Sequence, residues 1–171
     1  AYRVNTHGPE NLALAVNRMG GKFIHVSTDY VFAGNEAAPR TEEDPVCPMS
    51  VYGRTKLAGE KLALDACPKT FVVRTAWLYS AEGKNFVKTM LRLARQNGVI
   101  KVVNDQWGCP TNAADLADAI LRLAVKDQYG IYHAVNAGVC SWYDFACRIV
   151  DQKGIPCEKV PLTSSEYKAM F

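Results

Sequence analysis

Apolar residues recur at two different spacings along this chain, and the alternation of the two predicts an α/β fold. From Asn5 to Val16 the apolar residues have helical spacing, and Gly20-Gly21 marks the end of that predicted helix. Lys22 to Thr28 is short and rich in β-branched and aromatic residues, which predicts a buried strand. A proline-rich loop follows it.

The rest of the chain continues the alternation. Strands that alternate with helices favour a doubly wound, largely parallel sheet. Three further helices are predicted at Ser50 to Ala66, Asn85 to Asn97 and Asn112 to Lys126. A last helix begins at Ser141, which forms a capping-box variant with Asp144, and it runs through Ile149 and stops at Gly154. The predicted strands are Phe71 to Trp77, Val99 to Val103 and Gly130 to Asn136.

Composition and charge narrow the classes of protein. The 171 residues are 49% hydrophobic and 22% charged, with a formal net charge of +3, which is typical of a soluble domain. Lys and Arg are scattered, so no nucleic-acid partner is expected, and no apolar run approaches the ~18 residues that indicate a membrane span. The six cysteines contain no C-x-x-C pair, so we expect reduced cysteines in a cytoplasmic protein.

The segment Tyr52 to Lys56 places a tyrosine and a lysine four residues apart on a predicted helix, and that spacing puts both on one face. A free tyrosine titrates near ~10, and an ammonium close to a phenol favours the phenolate, which suits the phenol for acid catalysis nearer neutral pH. Such pairs also occur on solvated helix faces. Gly53 and Gly59 in the same helix indicate that another part of the chain approaches its backbone closely.

The segment Ser27 to Tyr30 lies at the carboxyl end of the first predicted strand. Ligands of open parallel sheets bind outside the carboxyl ends of the strands. A hydroxyl there could therefore hydrogen-bond a carbonyl oxygen that gains negative charge during a reaction. The alternative is a hydroxyl that only caps the following turn.

These residues resemble the extended short-chain dehydrogenase/reductase family. Thr28, Tyr52 and Lys56 are similar to its Ser/Thr-Tyr-Lys triad. Longer segments resemble the dTDP-4-dehydrorhamnose reductases within that family, in the expected order and over nearly the whole chain: Ser27 to Phe32, Ser50 to Glu60, Arg74 to Tyr79, Asn85-Phe86, Asp105 to Thr111, Gly130 to His133 and Cys140 to Tyr143.

The resemblance implies a hydride transfer from NADPH or NADH to the C4 keto group of dTDP-4-dehydro-6-deoxy-L-mannose, which gives dTDP-L-rhamnose. It implies that Tyr52 donates the proton, that Lys56 supports this and holds the nicotinamide ribose, and that Thr28 hydrogen-bonds the same oxygen. It further implies that cofactor contacts include Val26, and that the sugar nucleotide is contacted by Thr28, Asp29 and Trp77. Mg²⁺ is considered as an additional cofactor, although no metal-ligating residues are predicted, and a homodimer is left open.

The resemblance also divides the chain. Residues 1–80 are expected to form the C-terminal half of a Rossmann-type dinucleotide-binding domain, including the Tyr-Lys helix. Residues 81–171 are expected to form mainly a smaller substrate-binding lobe, with a helix and a strand at about 112–136 that return to the sheet.

Members of the family begin with a strand and a glycine-rich turn that binds the cofactor pyrophosphate. Gly8, Gly20 and Gly21 do not have that spacing, so we expect a fragment that does not bind the cofactor alone. In the strand order 3-2-1-4-5-6 the strand at Phe23 to Val26 is the fifth and neighbours Phe71 to Thr75. Its other edge is expected to be open.

Two other functions stay open at this point. The first is a nucleotide-sugar epimerase or dehydratase of the same extended family. Dehydratases typically have Asp-Glu after the threonine, whereas Tyr30 follows Asp29 here, which favours reduction. The second is a non-catalytic subunit resembling the β subunit of methionine adenosyltransferase. Trp77, in its Arg-Thr-Ala-Trp setting, favours the reductase.

Several residues also have a purely structural interpretation. Trp77 is compatible with a core position, and Asp105 to Thr111 with a turn and helix cap rather than a nucleotide contact. Arg74 is interpreted as a strand-end cation. The three histidines have no metal or dyad spacing and are interpreted as structural: His7, His25 and His133.

Overall fold

A computed structural model describes residues 1–34 and 38–170. Phe171, the last residue of the predicted second lobe, lies outside the described residues. The helices are a π-helical turn at Arg3–His7, α1 (Gly8–Arg18), a 3-10 turn at Asp29–Val31, α2 (Val51–Ala66), α3 (Phe86–Asn97), α4 (Ala113–Ala124), α5 (Trp142–Gln152) and α6 (Ser164–Met170). The strands are β1 (Phe23–Thr28), β2 (Thr70–Thr75), β3 (Leu78–Tyr79), β4 (Val99–Val103), β5 (Trp107–Gly108), β6 (Thr111–Asn112), β7 (Gly130–His133), β8 (Cys140–Ser141) and β9 (Glu158–Leu162).

The chain folds into two compact units, Ala1–Ala76 with Asp115–Ala134, and Trp77–Ala114 with Val135–Phe171. The resemblance predicts a division after residue 80, with a segment at about 112–136 that returns to the sheet.

The first unit contains a parallel sheet with the strand order β1-β2-β7. All six residues of β2 are buried, as expected for a central strand with neighbours on both sides. Helices α1 and α2 pack on each other through a small cluster that includes Ala13, Ala63 and Cys67. The sheet and these helices hold the carboxyl end of β1 and the start of α2 in one unit.

Strand β1 is an edge strand within the described residues. It pairs in parallel with β2, from Phe23 opposite Thr70 to Thr28 opposite Thr75, and the strand order gives it no second neighbour among residues 1–34 and 38–170. The predicted pairing with Phe71–Thr75 and the predicted open edge are both confirmed.

The second unit has its own core and three small sheets. Strands β4 and β9 pair in parallel, as do β3 and β6, whereas β5 and β8 pair antiparallel. The buried residues of its core come from α3, β4 and α5: Met90, Ala94, Ile100, Val102, Ala146, Ile149 and Val150.

Helix boundaries follow the capping residues that the sequence indicated. The Asn85 side chain accepts the Lys88 N–H at the start of α3, and Gly98 ends this helix with a φ of +64°. Ser141 and Asp144 form the predicted capping box at the start of α5. No helix among the described residues is long and apolar enough to cross a membrane.

Candidate functional site

Helix α2 carries Tyr52 and Lys56, and its start is fixed by a side-chain cap. The Ser50 hydroxyl oxygen accepts the Gly53 N–H at 2.9 Å, so the helix begins at Val51 and Tyr52 lies in its first turn. Lys56 follows one turn later, on the same face. Tyr52 is 47% exposed, whereas Lys56 is half-buried.

The two glycines of α2 lie where other backbone segments touch the helix. A Cβ atom on Gly53 would lie 2.2 Å from the Tyr30 carbonyl oxygen, and one on Gly59 would lie 2.0 Å from the Asn5 carbonyl oxygen. Both distances are far shorter than a van der Waals contact. The predicted close approach to this helix is therefore confirmed, and it brings the turn after β1 against the first turn of α2.

The Lys56 ammonium lies at the carboxyl half of β1. Its Nζ donates to the Val26 carbonyl oxygen at 2.7 Å and lies 3.4 Å from Nε2 of His25. Burial lowers the pKa of Lys56, and the negative charge of Glu60 opposes this. Burial and the positive charge of Lys56 lower the pKa of His25 to about 4, so His25 is neutral near pH 7.

The Thr28 hydroxyl caps the 3-10 turn that follows β1. Its Oγ1 accepts the Tyr30 N–H at 3.2 Å and donates to Oδ1 of Asp29 at 3.0 Å. Burial raises the pKa of Asp29, and the hydrogen bond from Thr28 opposes this. The capping interpretation of Thr28 is thus confirmed, while its contact with a reacting oxygen stays a prediction.

The turn and the helix also meet through their aromatic rings. Tyr30 and Tyr52 make an edge contact, with ring centroids 5.7 Å apart. Burial raises the pKa of Tyr30, and the charge of Asp29 raises it further. The structure therefore gathers five of the predicted site residues around one end of the first unit: Val26, Thr28, Asp29, Tyr52 and Lys56.

A buried ion pair behind this site was not predicted. Arg74 on β2 is 4% exposed and Glu60 on α2 is 1% exposed. The Arg74 Nε and Nη2 atoms donate to the Glu60 carboxylate at 2.8–3.2 Å, and the Ser27 hydroxyl donates to the same carboxylate. Arg74 does lie near the end of β2, but it is more than a strand-end cation, because its guanidinium neutralises a carboxylate that would otherwise be buried alone.

The sequence did contain a signal for Glu60. It follows Lys56 by four residues and Tyr52 by eight, so all three share one face of α2. A carboxylate on the same helix face as the Tyr-Lys pair, next to a buried strand, needs a partner.

Trp77 belongs to the second unit. Its indole stacks on Trp142, with ring centroids 3.4 Å apart and ring planes 8° apart, and its backbone has a φ of +47°. A Cβ atom on Gly108 would lie 2.4 Å from Cε2 of Trp77, so only glycine fits there. Trp142 was missed, because nothing in the sequence indicates which aromatic residue stacks on Trp77.

The segment from Asp105 to Thr111 has structural contacts of its own. The Asp105 carboxylate accepts the Ser164 N–H at 2.8 Å and the Ser164 hydroxyl at 2.7 Å, and these bonds lower the pKa of Asp105. Asp105 thus caps the start of α6, which was not predicted. The predicted cap is that of the helix after Pro110, where the Asn112 side chain accepts the Ala114 N–H at 2.9 Å.

The described residues offer no cluster of metal-ion ligands. Residues 1–34 and 38–170 contain no group of three or more His, Cys, Asp or Glu side chains that could hold a metal ion. The considered Mg²⁺ therefore has no set of protein ligands in the described part of the chain.

Comparison with known proteins finds relatives that match nearly the whole chain. The RmlD substrate binding domain family matches residues 1–170. The chain is 41% identical over 167 residues to a spore coat polysaccharide biosynthesis protein of Bacillus subtilis, covering 98% of this chain and 59% of that protein. It is 45% identical over 174 residues to the dTDP-4-dehydrorhamnose reductase of Mycobacterium tuberculosis, covering 98% of this chain and 57% of that reductase.

A solved structure shows the same fold. The dTDP-4-dehydrorhamnose reductase of Bacillus anthracis in complex with NADP has a TM-score of 0.95 and 41% identity, covering 98% of this chain and 59% of that one. The predicted α/β class with a Rossmann-type parallel sheet is therefore confirmed. The chain spans less than two thirds of the length of each of these relatives.

Proposed function

The chain belongs to the RmlD substrate binding domain family, and we propose that it forms the catalytic and substrate-binding part of an NAD(P)H-dependent reductase. The proposed substrate is dTDP-4-dehydrorhamnose and the proposed product is dTDP-L-rhamnose. Support comes from the reductases among its relatives, including one solved with NADP. The first unit would then contribute the catalytic residues and part of the cofactor site, and the second unit mainly the substrate lobe.

One observation carries the proposal: the Lys56 ammonium is anchored on β1, one helical turn from Tyr52. The ammonium has three N–H donors, and the Val26 carbonyl and His25 take two of them. One donor is left for a ribose hydroxyl, so this side chain fits a nicotinamide ribose. Val26 would take part in the cofactor site through its carbonyl oxygen, which holds the lysine.

A bound reduced nicotinamide would supply the hydride to C4 of the sugar. Tyr52 donates its phenolic proton to the C4 oxygen, and the positive charge of Lys56 stabilises the resulting phenolate. The Thr28 hydroxyl, now bonded to Asp29, turns its proton toward the same oxygen. In each turnover the C=O π bond of the sugar, a C–H bond of the reduced nicotinamide and the O–H bond of Tyr52 would break, while a C–H and an O–H bond form on the sugar. A proton from solvent would then return the phenolate of Tyr52 to the phenol.

Asp29 and Trp77 are proposed to contact the sugar nucleotide. Asp29 follows Thr28 directly at the carboxyl end of β1, where ligands of parallel sheets bind. Trp77 has a strained backbone, and strain of this kind is concentrated at binding sites. Its stack on Trp142 fixes the orientation of the indole.

Location and assembly are part of the proposal too. None of the six cysteines, all of which lie in the described part of the chain, forms a disulfide, which agrees with the cytoplasm. We propose a cytoplasmic enzyme whose partner is the dTDP-sugar substrate, with a homodimer as its assembly and without nucleic-acid or membrane partners. The reaction as proposed uses no metal ion.

The test is a product analysis with the complete native polypeptide. Incubation of dTDP-4-dehydrorhamnose with NADPH or NADH should consume the reduced cofactor and give one dTDP-rhamnose, two mass units heavier than the substrate, per cofactor. Incubation with dTDP-glucose should leave it unchanged. Loss of water from dTDP-glucose would instead show a dehydratase, and no reaction with either sugar would favour a non-catalytic subunit.

A further inference from the structure

His25 is a buried residue of the site to which the mechanism above assigns no chemical step. It is 8% exposed and lies on β1, three residues before Thr28. Its ring stacks on Phe23, with centroids 6.3 Å apart and ring planes 14° apart. Its Nε2 lies 3.4 Å from Nζ of Lys56. Ring packing alone would suit a phenylalanine equally well, so the nitrogen needs its own explanation.

The contact with Lys56 requires a neutral imidazole with an unprotonated Nε2. An ammonium can only donate hydrogen bonds, so Nε2 must accept. The low pKa of His25, about 4, agrees with this, because the ring carries no charge at neutral pH. The 3.4 Å separation is that of a long hydrogen bond.

We propose that His25 is a positioning residue for Lys56: Nε2 of His25 and the Val26 carbonyl oxygen hold two of the three ammonium donors, which directs the third toward the cofactor ribose. This inference rests on the proposed function, because it assigns Lys56 a ribose contact. It also explains how a half-buried lysine stays charged, since hydrogen bonds to the charged form favour that form. Glu60, one helical turn further along α2, adds its negative charge to the same effect.

Two substitutions separate this role from ring packing. His25→Phe keeps an aromatic ring beside Phe23 and removes the acceptor, whereas His25→Gln removes the ring and keeps an acceptor near the position of Nε2. We expect His25→Phe to raise the KM for the reduced cofactor and to lower kcat, each by about tenfold, as expected for loss of a hydrogen bond to a charged group. His25→Gln should stay within about twofold of the wild type, on the same reasoning.

The control is His7→Gln, because His7 is an exposed histidine on the first helical segment and should give wild-type kinetics. Wild-type kinetics for His25→Phe, or a larger loss for His25→Gln than for His25→Phe, would overturn the positioning role.

A second measurement is independent of activity and of the folding of any variant. Nitrogen NMR of the wild-type polypeptide with 15N-labelled histidine should show His25 neutral at pH 7, with the proton on Nδ1. A proton on Nε2 would overturn the inference whether or not the reductase assay succeeds. Absence of reductase activity in the wild type, together with an unprotonated Nε2, would overturn the proposed function and leave the His25–Lys56 contact standing.

Discussion

Lys56 shows how single residues acquire chemistry from their surroundings. Burial removes its ammonium partly from water, which destabilises the charge. A backbone carbonyl and an imidazole accept hydrogen bonds from the same ammonium, which stabilises the charge. An ammonium that is anchored on a strand, with one N–H still available to a ligand, is positioned more precisely than the ammonium of a lysine in solvent. Tyr52 remains accessible one turn away, which a proton donor requires.

The pH dependence of folding provides a test at the residue scale. His25 has a pKa of about 4 in the folded state, against 6.5 for an unperturbed histidine. Between these values the unfolded chain binds the proton more readily, so the stability contributed by His25 is present above pH 6.5 and lost as pH falls toward 4. Urea unfolding at pH 7 and pH 4.5 should show a loss about 2 kcal/mol larger for the wild type than for His25→Gln. Equal losses in the two proteins would contradict the low pKa.

Single residues also show where sequence reasoning ends. Thr28, Tyr52 and Lys56 could be proposed as site residues from the sequence, because hydroxyl, phenol and ammonium have recognisable spacing and positions. His25, Arg74 and Trp142 could not, because their roles depend on which side chain they meet across the fold. A histidine in an apolar strand gives the same pattern whether it touches a lysine or only its neighbours.

At the scale of elements, α2 is held by contacts that leave no room for side chains at its glycines. The Tyr30 carbonyl approaches Gly53 and the Asn5 carbonyl approaches Gly59. These contacts, with the buried Glu60–Arg74 pair, tie the Tyr-Lys helix to the elements beside it. Removal of one member of such a pair typically costs ~3–5 kcal/mol, because the other charge stays buried.

Alanine substitutions at two helical glycines test this close packing. Gly53→Ala should lower the free energy of unfolding by about 1–3 kcal/mol, because its Cβ would overlap the Tyr30 carbonyl oxygen. Gly8→Ala is the matched control, since a Cβ there would lie 3.7 Å from the Arg3 carbonyl oxygen, which is an ordinary contact. It should be close to neutral, because a gain in helix propensity of up to about 1 kcal/mol is opposed by the cost of a side chain in the helical conformation before Pro9. A loss at Gly53 no larger than the change at Gly8 would show that α2 has room at Gly53.

Most long elements could be predicted, and the short ones could not. Residues Ser50, Asn85 and Ser141 marked three helix starts, because their side chains cap the helix backbone. Strand β9 was missed, since Pro161 interrupts a run with charged residues at its start. The two-residue strands β3, β5, β6 and β8 form through pairing with distant segments, which local patterns do not contain.

At the scale of the whole molecule, the strand order β1-β2-β7 follows from parallel strands joined by helices. Within residues 1–34 and 38–170, β1 pairs with β2 alone, an arrangement that the resemblance predicted.

Fold alone does not settle function, because the same α/β architecture carries many activities. Under the proposed function, the groups that would carry the reaction are the anchored ammonium, the accessible phenol and the strand-end hydroxyl of the first unit. The similarity to dTDP-4-dehydrorhamnose reductases, at 41–45% identity, covers 98% of the chain. The account as a whole therefore depends on the phenol of Tyr52 as the proton donor.

The most direct test replaces that phenol in the complete native polypeptide. Tyr52→Phe removes one oxygen atom from a side chain that is 47% exposed, so folding and the binding of the sugar nucleotide should be nearly unchanged. Turnover of dTDP-4-dehydrorhamnose should fall by about 10² or more, because proton transfer by a positioned side chain typically contributes ~10² to 10⁴. Calorimetry with dTDP-rhamnose should confirm that binding is retained. Turnover at the wild-type rate would contradict the account.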